Sequence, residues 1–196
     1  SLLYRPMAHY LRQNSATSIQ VVETSLSKTS DMVTSAQADI AIITLPVTNY
    51  PAQAFSLTSM VPVVSTEHPL AQQASLTMAD FATHCQIVIR DLGASQTNEQ
   101  AQNVGWLKSN QRVTVDNFDH AFRAVEQGVG FCRLPTHIVA KRNQGQLQVL
   151  NVEESDCYQV PLHLTLPKGA KTGPAARFFY ELLLNGAWSE SGEKCQ

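Results

Sequence analysis

Charge is scarce in this chain. Only 15% of its 196 residues are Asp, Glu, Lys or Arg, against roughly 25% in ordinary globular domains. With 14 basic and 16 acidic residues, the net charge is -2. A protein that grips a phosphate backbone needs a basic face, and none is available here. The densest basic pair, Lys141-Arg142, reads as the solvated end of a helix. Long apolar runs are lacking too. A membrane-spanning helix needs about 18 or more consecutive apolar residues, and no segment supplies them, so no membrane partner is expected. No charged-then-apolar leader opens the sequence. The expectation is therefore a protein without a signal peptide that works in the cytoplasm.

Cysteine is equally thin. Cys85, Cys132, Cys157 and Cys195 lie far apart, with no CxxC pair. A redox sensor requires an exposed, low-pKa thiol and a resolving partner. Two of the four sit in apolar, strand-like runs, so reduced and buried thiols are expected. The histidines, His9, His68, His84, His120, His137 and His163, show no metal-ligand spacing. A glycine-rich phosphate loop and a nucleophile elbow are both missing. These absences argue against a catalytic residue, a metal or a cofactor, and hence against an enzyme.

What remains is an apolar chain, 43% hydrophobic, that alternates between helical and strand periodicity. That alternation is the signature of an α/β fold with mostly parallel sheets. Leu3, Met7, Tyr10, Leu11 and Asn14 recur at helical spacing and predict a helix over 1–14. A β-branched segment predicts a strand at 18–23. A helix follows over 25–37, capped by Thr24, and a buried strand over 39–44. A Pro-punctuated loop leads to strands at 55–57 and 60–65 and a turn at 67–71. Thr77 caps a short helix containing Met78 and Phe81. Strands at 86–90 and 112–115 flank a polar stretch over 91–103. Phe118, Phe122 and Val125 share one stripe of a helix that starts at Asn117 and ends at Gly128. A strand over 130–134, a helix opened by Pro135, and strands over 147–150 and 160–166 follow. Pro174 opens the last helix.

Several landmarks, in order, resemble one family. They are Ala38-Asp39-Ile40-Ala41-Ile42-Ile43; then Val63-Val64-Ser65-Thr66-Glu67-His68-Pro69-Leu70-Ala71; then the run from Ala124 through Gly128 and Gly130 to Leu134-Pro135; then Gly145-Gln146-Leu147. Each is weak alone, but together, at these spacings, they resemble the effector-binding domain of LysR-type transcriptional regulators. The physics of the third landmark is independent of that resemblance. Gly128 and Gly130 flank a helix-to-strand turn, where positive φ and close packing both suit glycine.

The resemblance implies a type 2 periplasmic-binding-protein-like fold, with two Rossmann-like lobes joined by two crossover strands near 60–65 and 160–166. Lobe one would be residues 1–63 with 164–196, and lobe two residues 64–163. The family has a strand before the opening helix and a helix-turn-helix before that; neither is within this sequence. The implied function is to bind a small, anionic metabolite, such as an organic acid, in the cleft between lobes and to modulate transcription. DNA would be met only through the helix-turn-helix. Dimers in the family pack the opening helix two-fold, which nominates Leu3, Met7, Tyr10 and Leu11 for a homodimer interface.

Candidate effector-binding residues are those at strand ends and helix starts: Ser1, Thr44, Ser65, Thr66, Arg90, Asp116, Asn117 and Phe131. Each has a plainer alternative. Ser1, Asp116 and Asn117 could be helix caps, Ser65 and Thr66 hinge hydroxyls, Thr44 a loop hydroxyl. Phe131 could be core, and Arg90 half of a surface ion pair. A transporter's solute-binding protein would share the lobes but needs a leader. An enzyme on this scaffold would need a reactive constellation, and none is visible.

Overall fold

A computed structural model describes residues 2–89, 109–153 and 158–186. The sequence-based readings at Ser1 and Arg90, and over 91–103, fall outside them. The chain divides into two compact units, Ser1–Leu57 with Pro161–Gln196, and Thr58–Val160. These divisions fall a few residues before the 63/64 and 163/164 boundaries that the family resemblance implies.

In the first unit, α1 (Tyr4–Gln13) and α5 (Pro174–Asn185) pack together. Strand β7 (Tyr158–Thr165) supplies Leu164 beneath them. Tyr10 is 1% exposed and sits among Leu164, Phe179 and Leu183. Its hydroxyl donates to the Ala175 carbonyl at 3.2 Å, so the ring is fixed at both ends. Helix α2 (Leu26–Thr34) buries Val33 against β1 (Ala41–Ile43). Its cap is Ser25, whose Oγ accepts from the Lys28 N–H at 3.3 Å. The expected cap, Thr24, instead pairs its hydroxyl with that of Thr29.

The strand predicted over 18–23 does not form. Among the described residues the segment has no ladder partner, and Val21 and Val22 are 47% and 53% exposed. β-branched residues favour a strand only where a neighbouring strand takes up the backbone and a face is buried. Here β1 has its partner in β7, antiparallel, with Ala41 opposite Thr165.

Strand β2 (Ala52–Ser65) runs unbroken through the region read as two strands. Thr58 and Ser59 interrupt the apolar pattern without interrupting the backbone. Strands β2 and β7 each pass from one unit to the other.

The second unit holds β3 (Cys85–Ile89) and β4 (Gln111–Val115), paired in parallel. It also holds α3 (Phe118–Glu126), β5 (Cys132–Pro135), α4 (Thr136–Arg142) and β6 (Leu147–Val149). Strand β2 takes β5 and β6 antiparallel, with Pro62 opposite Arg133 and Ser65 opposite Leu147. The expectation of mostly parallel sheets is therefore corrected. Among the described residues the β3–β4 ladder is parallel, while β1–β7, β2–β5 and β2–β6 are antiparallel. Continuous apolar runs signal strands buried on both faces, which is not the same as parallel pairing.

The period of side chains along β2 and β5 distributes two cores on opposite faces. Val63, Cys132 and Leu134 face Phe122 and Val125 of α3. Val64 and Phe131 join Leu70, Leu76, Phe81 and Leu150. The two glycines behave differently. Gly128 closes α3 at φ +72, a conformation that costs a side chain strain. Gly130 has ordinary φ, but a Cβ there would stand 2.1 Å from the Cys85 carbonyl oxygen. That closeness lets the Phe131 N–H donate to Cys85 O at 3.0 Å.

Candidate functional site

Most of the candidate residues have local structural duties. Asn117 caps α3: its Oδ1 accepts from the His120 N–H at 2.9 Å. Asp116, just ahead of it, is exposed. Ser65 is buried at the end of β2, where its Oγ accepts from Glu67 N–H at 3.4 Å and its carbonyl accepts from His68 N–H. Thr66 is exposed and donates its N–H to Gln146 O. Phe131 is 0% exposed and meets Phe81 edge-on, ring centres 4.8 Å apart. It offers a ligand no surface and belongs to the core. Thr44, half-buried directly after β1, has no hydrogen bond among those described. Ser1 and Arg90 lie outside the described residues.

The α1 residues also divide. Tyr10 is enclosed within its own unit and is withdrawn from any interface. Leu3 and Met7 are half-buried against the same cluster, while Leu11 and Tyr4 are exposed, Tyr4 at 60%. The outer face of the helix is therefore Tyr4 and Leu11 rather than Tyr10.

His68, in the turn after β2, pairs with His84, just ahead of β3, a contact that periodicity could not show. His68 is buried, its Nδ1 accepts the Leu70 N–H at 3.2 Å, and its ring centre lies 4.9 Å from that of His84. Burial, and then the charge of His84, hold the His68 pKa below its ordinary value. Nearby in the sequence, Asp80 accepts from Thr77 N–H at 2.6 Å. That bond, then the Thr77 hydroxyl, lower the Asp80 pKa.

Two buried polar atoms lack a partner among the described residues, Nε of Arg133 and Nδ1 of His163. The Arg133 guanidinium lies over the Tyr158 ring at 5.2 Å from its centre. Burial lowers its pKa, with Tyr158 opposing. Arg133 escaped sequence reasoning because Cys132-Arg133-Leu134-Pro135 reads as a buried strand in which the arginine is an interruption. That interruption was the available signal. The second unit also has a depression of about 270 Å³ bordered by Gln72, Gln73, Gln148 and Asn151, with amides and no charged group on its rim.

A family model described as the LysR substrate binding domain matches residues 1–188. This chain belongs to the LysR substrate-binding domain family. Solved LysR-type domains share its fold. The regulatory domain of CcmR from Synechocystis PCC6803, in complex with 2-PG, superposes with a TM-score of 0.75 at 16% identity, covering 93% of this chain and 89% of that one. The effector-binding domain of QuiR with shikimate gives 0.69 at 16% identity, over 93% and 88%. That of BenM with benzoate gives 0.68 at 14%, over 93% and 84%. No curated protein matches the sequence. LysR substrate-binding domains are regulatory parts of transcription factors rather than enzymes. Among the described residues, no helix is long and apolar enough to cross a membrane.

Proposed function

We propose that this chain is the sensing part of a LysR-type transcription factor. It binds a small organic acid and passes the binding event to a helix-turn-helix elsewhere in the full-length protein, changing how that protein occupies DNA. The observation that carries this reading is the family match across residues 1–188. The ligands named for CcmR, QuiR and BenM, 2-PG, shikimate and benzoate, support an acid as the effector class. Thr44, with a half-buried hydroxyl at a strand end, is the strongest of the proposed contacts. Ser65, Thr66, Asp116 and Asn117 contribute backbone and side-chain polar groups around two turns of the second unit.

The partner is a second copy of the same chain. Leu3, Met7 and Leu11, with Tyr4, form the α1 surface offered to it. The test is a gel shift with the full-length protein and its own promoter, titrated with candidate acids. An acid that shifts the DNA occupancy curve supports the reading. Full-length protein that binds acids but keeps one DNA affinity throughout contradicts it.

A further inference from the structure

Arg133 is an unusual residue to find where it stands. It lies on β5 between Cys132 and Leu134, both buried in the α3-facing core. Side chains alternate along a strand, so Arg133 projects from the other face. On that face its cross-strand neighbour is Pro62 of β2, which brings no hydrogen-bonding side chain. Within the second unit the strand order runs β7, β2, β5, and the guanidinium reaches past β2 to lie on Tyr158 of β7. An aromatic face attracts a cation but accepts no hydrogen bond in the plane of the guanidinium. The Nε–H is thus left buried and unpaired. Among the described residues, the ion pairs of Asp119 with Arg123 and Arg142, and of Asp39 with Lys168, leave Arg133 out. Among the described residues no carboxylate neutralises it.

A half-buried cation with a buried, unpaired N–H and no counter-charge is costly unless something completes it. The group that fits is an oxyanion presenting two oxygens to the planar N–H edge, a carboxylate or a phosphoryl group. We propose that Arg133 is the anion-recognising residue of this domain: it rests on Tyr158 and exchanges that ring for the carboxylate or phosphoryl group of the effector. Lysine could supply the charge here but not the paired N–H edge. The inference deepens the proposed sensing function by assigning the ligand's anionic end to one side chain.

The test is nitrogen-15 NMR of arginine Nε–H groups in the 196-residue chain. The Arg133 resonance is assigned by its loss in Arg133→Lys. Sodium benzoate and inorganic phosphate serve as probes, with sodium chloride at equal ionic strength and neutral benzamide as comparisons. The expected result is a saturable shift of the Arg133 resonance with benzoate or phosphate and none with chloride or benzamide. Arg133→Gln should weaken that binding by about thirtyfold or more; Arg133→Lys should weaken it less, and also guards against a glutamine variant that fails to fold. An unmoved Arg133 resonance with both oxyanions overturns the proposal, as does equal affinity in Arg133→Gln. Saturable binding of benzamide with Arg133 undisturbed overturns it while leaving small-molecule sensing intact. Loss of sensing itself would show differently, as full-length protein whose DNA affinity no small molecule changes.

Discussion

The two units are built from similar residues but finish their cores differently. The second unit closes around whole rings: Phe81, Phe122 and Phe131 are all essentially enclosed, with Leu70, Leu76 and Ile87 between them. The first unit encloses Tyr10, Val33, Leu164 and Leu183. Around them, however, Leu3, Met7, Ile19, Ile40, Ile42 and Phe55 are only partly covered. Tyr4, Val21, Val22, Leu45 and Phe178 are exposed. Backbone partners account for part of the contrast, since Val113 and Val149 of the second unit stand in ladders and are exposed as well. In the second unit β3 has β4 on one side and a bridge from Gln86 to Phe131 on the other. In the first, the β-branched segment over 18–23 pairs with no strand among the described residues, and its valines stay exposed. Apolar composition alone does not make a core; a completed ladder has to hold the faces still.

Substitutions that separate the units should show this most strongly. Phe131→Ala should cost about 3–5 kcal/mol, the usual loss for a fully buried ring, whereas Val22→Ser should stay within roughly 0.5 kcal/mol. Urea denaturation of both variants makes the comparison, and similar losses would erase it. Next in size comes the glycine pair. Gly130→Ala forces a methyl against the Cys85 carbonyl and should cost about 1–3 kcal/mol. Gly128→Ala meets no atom within 4 Å and should cost about 1 kcal/mol, from backbone strain alone. Reversal of that order would show that β3 and the start of β5 can separate freely.

A smaller effect should appear on acidification. The folded-state pKa of His68 lies below its ordinary value because of burial and His84. As pH falls past the ordinary histidine range, the unfolded chain takes up a proton that the folded chain resists. The second unit should therefore lose stability as pH drops through the lowered pKa, and hold it above the ordinary value. His68→Asn keeps an acceptor for the Leu70 N–H and should flatten that part of the pH profile. Asp80, also lowered, adds a further loss at more acidic pH. Chevron or thermal melts at stepped pH read both, and a wild-type profile flat through the histidine range would contradict the His68 account. Smallest in consequence for stability is thiol reactivity. Burial raises the Cys132 pKa to about 12, so iodoacetamide at neutral pH should label half-exposed Cys85 well before Cys132. Mass spectrometry of partially labelled protein would show the opposite order if β5 opens readily.

Periodicity carried the helices well. The stripe Phe118, Phe122 and Val125 was readable because an exposed helix must segregate its faces, and Asn117 as its first residue was readable because few side chains satisfy a free N–H. The Gly128 and Gly130 turn was readable for the same reason: only backbone geometry explains two glycines there. Strand readings fared worse where partners decide. The segment over 18–23 has strand composition but no ladder, and pairing direction is invisible in a run such as 39–44. The candidate site was least readable. Sequence position identified strand ends and helix starts, but whether Asn117 serves a ligand or its own helix depends on which N–H lies within reach. The charge of Arg133 inside an apolar strand was a local signal, but its contact with Tyr158 and the His68–His84 pair join distant segments, which no local pattern encodes.

The central claim, that this domain recognises a small acid, is tested most directly by thermal unfolding of the 196-residue chain against matched sets of small carboxylates, phosphorylated acids and their neutral analogues. A ligand of the folded state at about one hundred times its Kd adds roughly 2.7 kcal/mol. The account predicts that at least one acid raises the Tm in a concentration-dependent way while its neutral analogue does not. If neutral compounds raise it as much as their acids, or if no compound of either kind moves it, the account is contradicted.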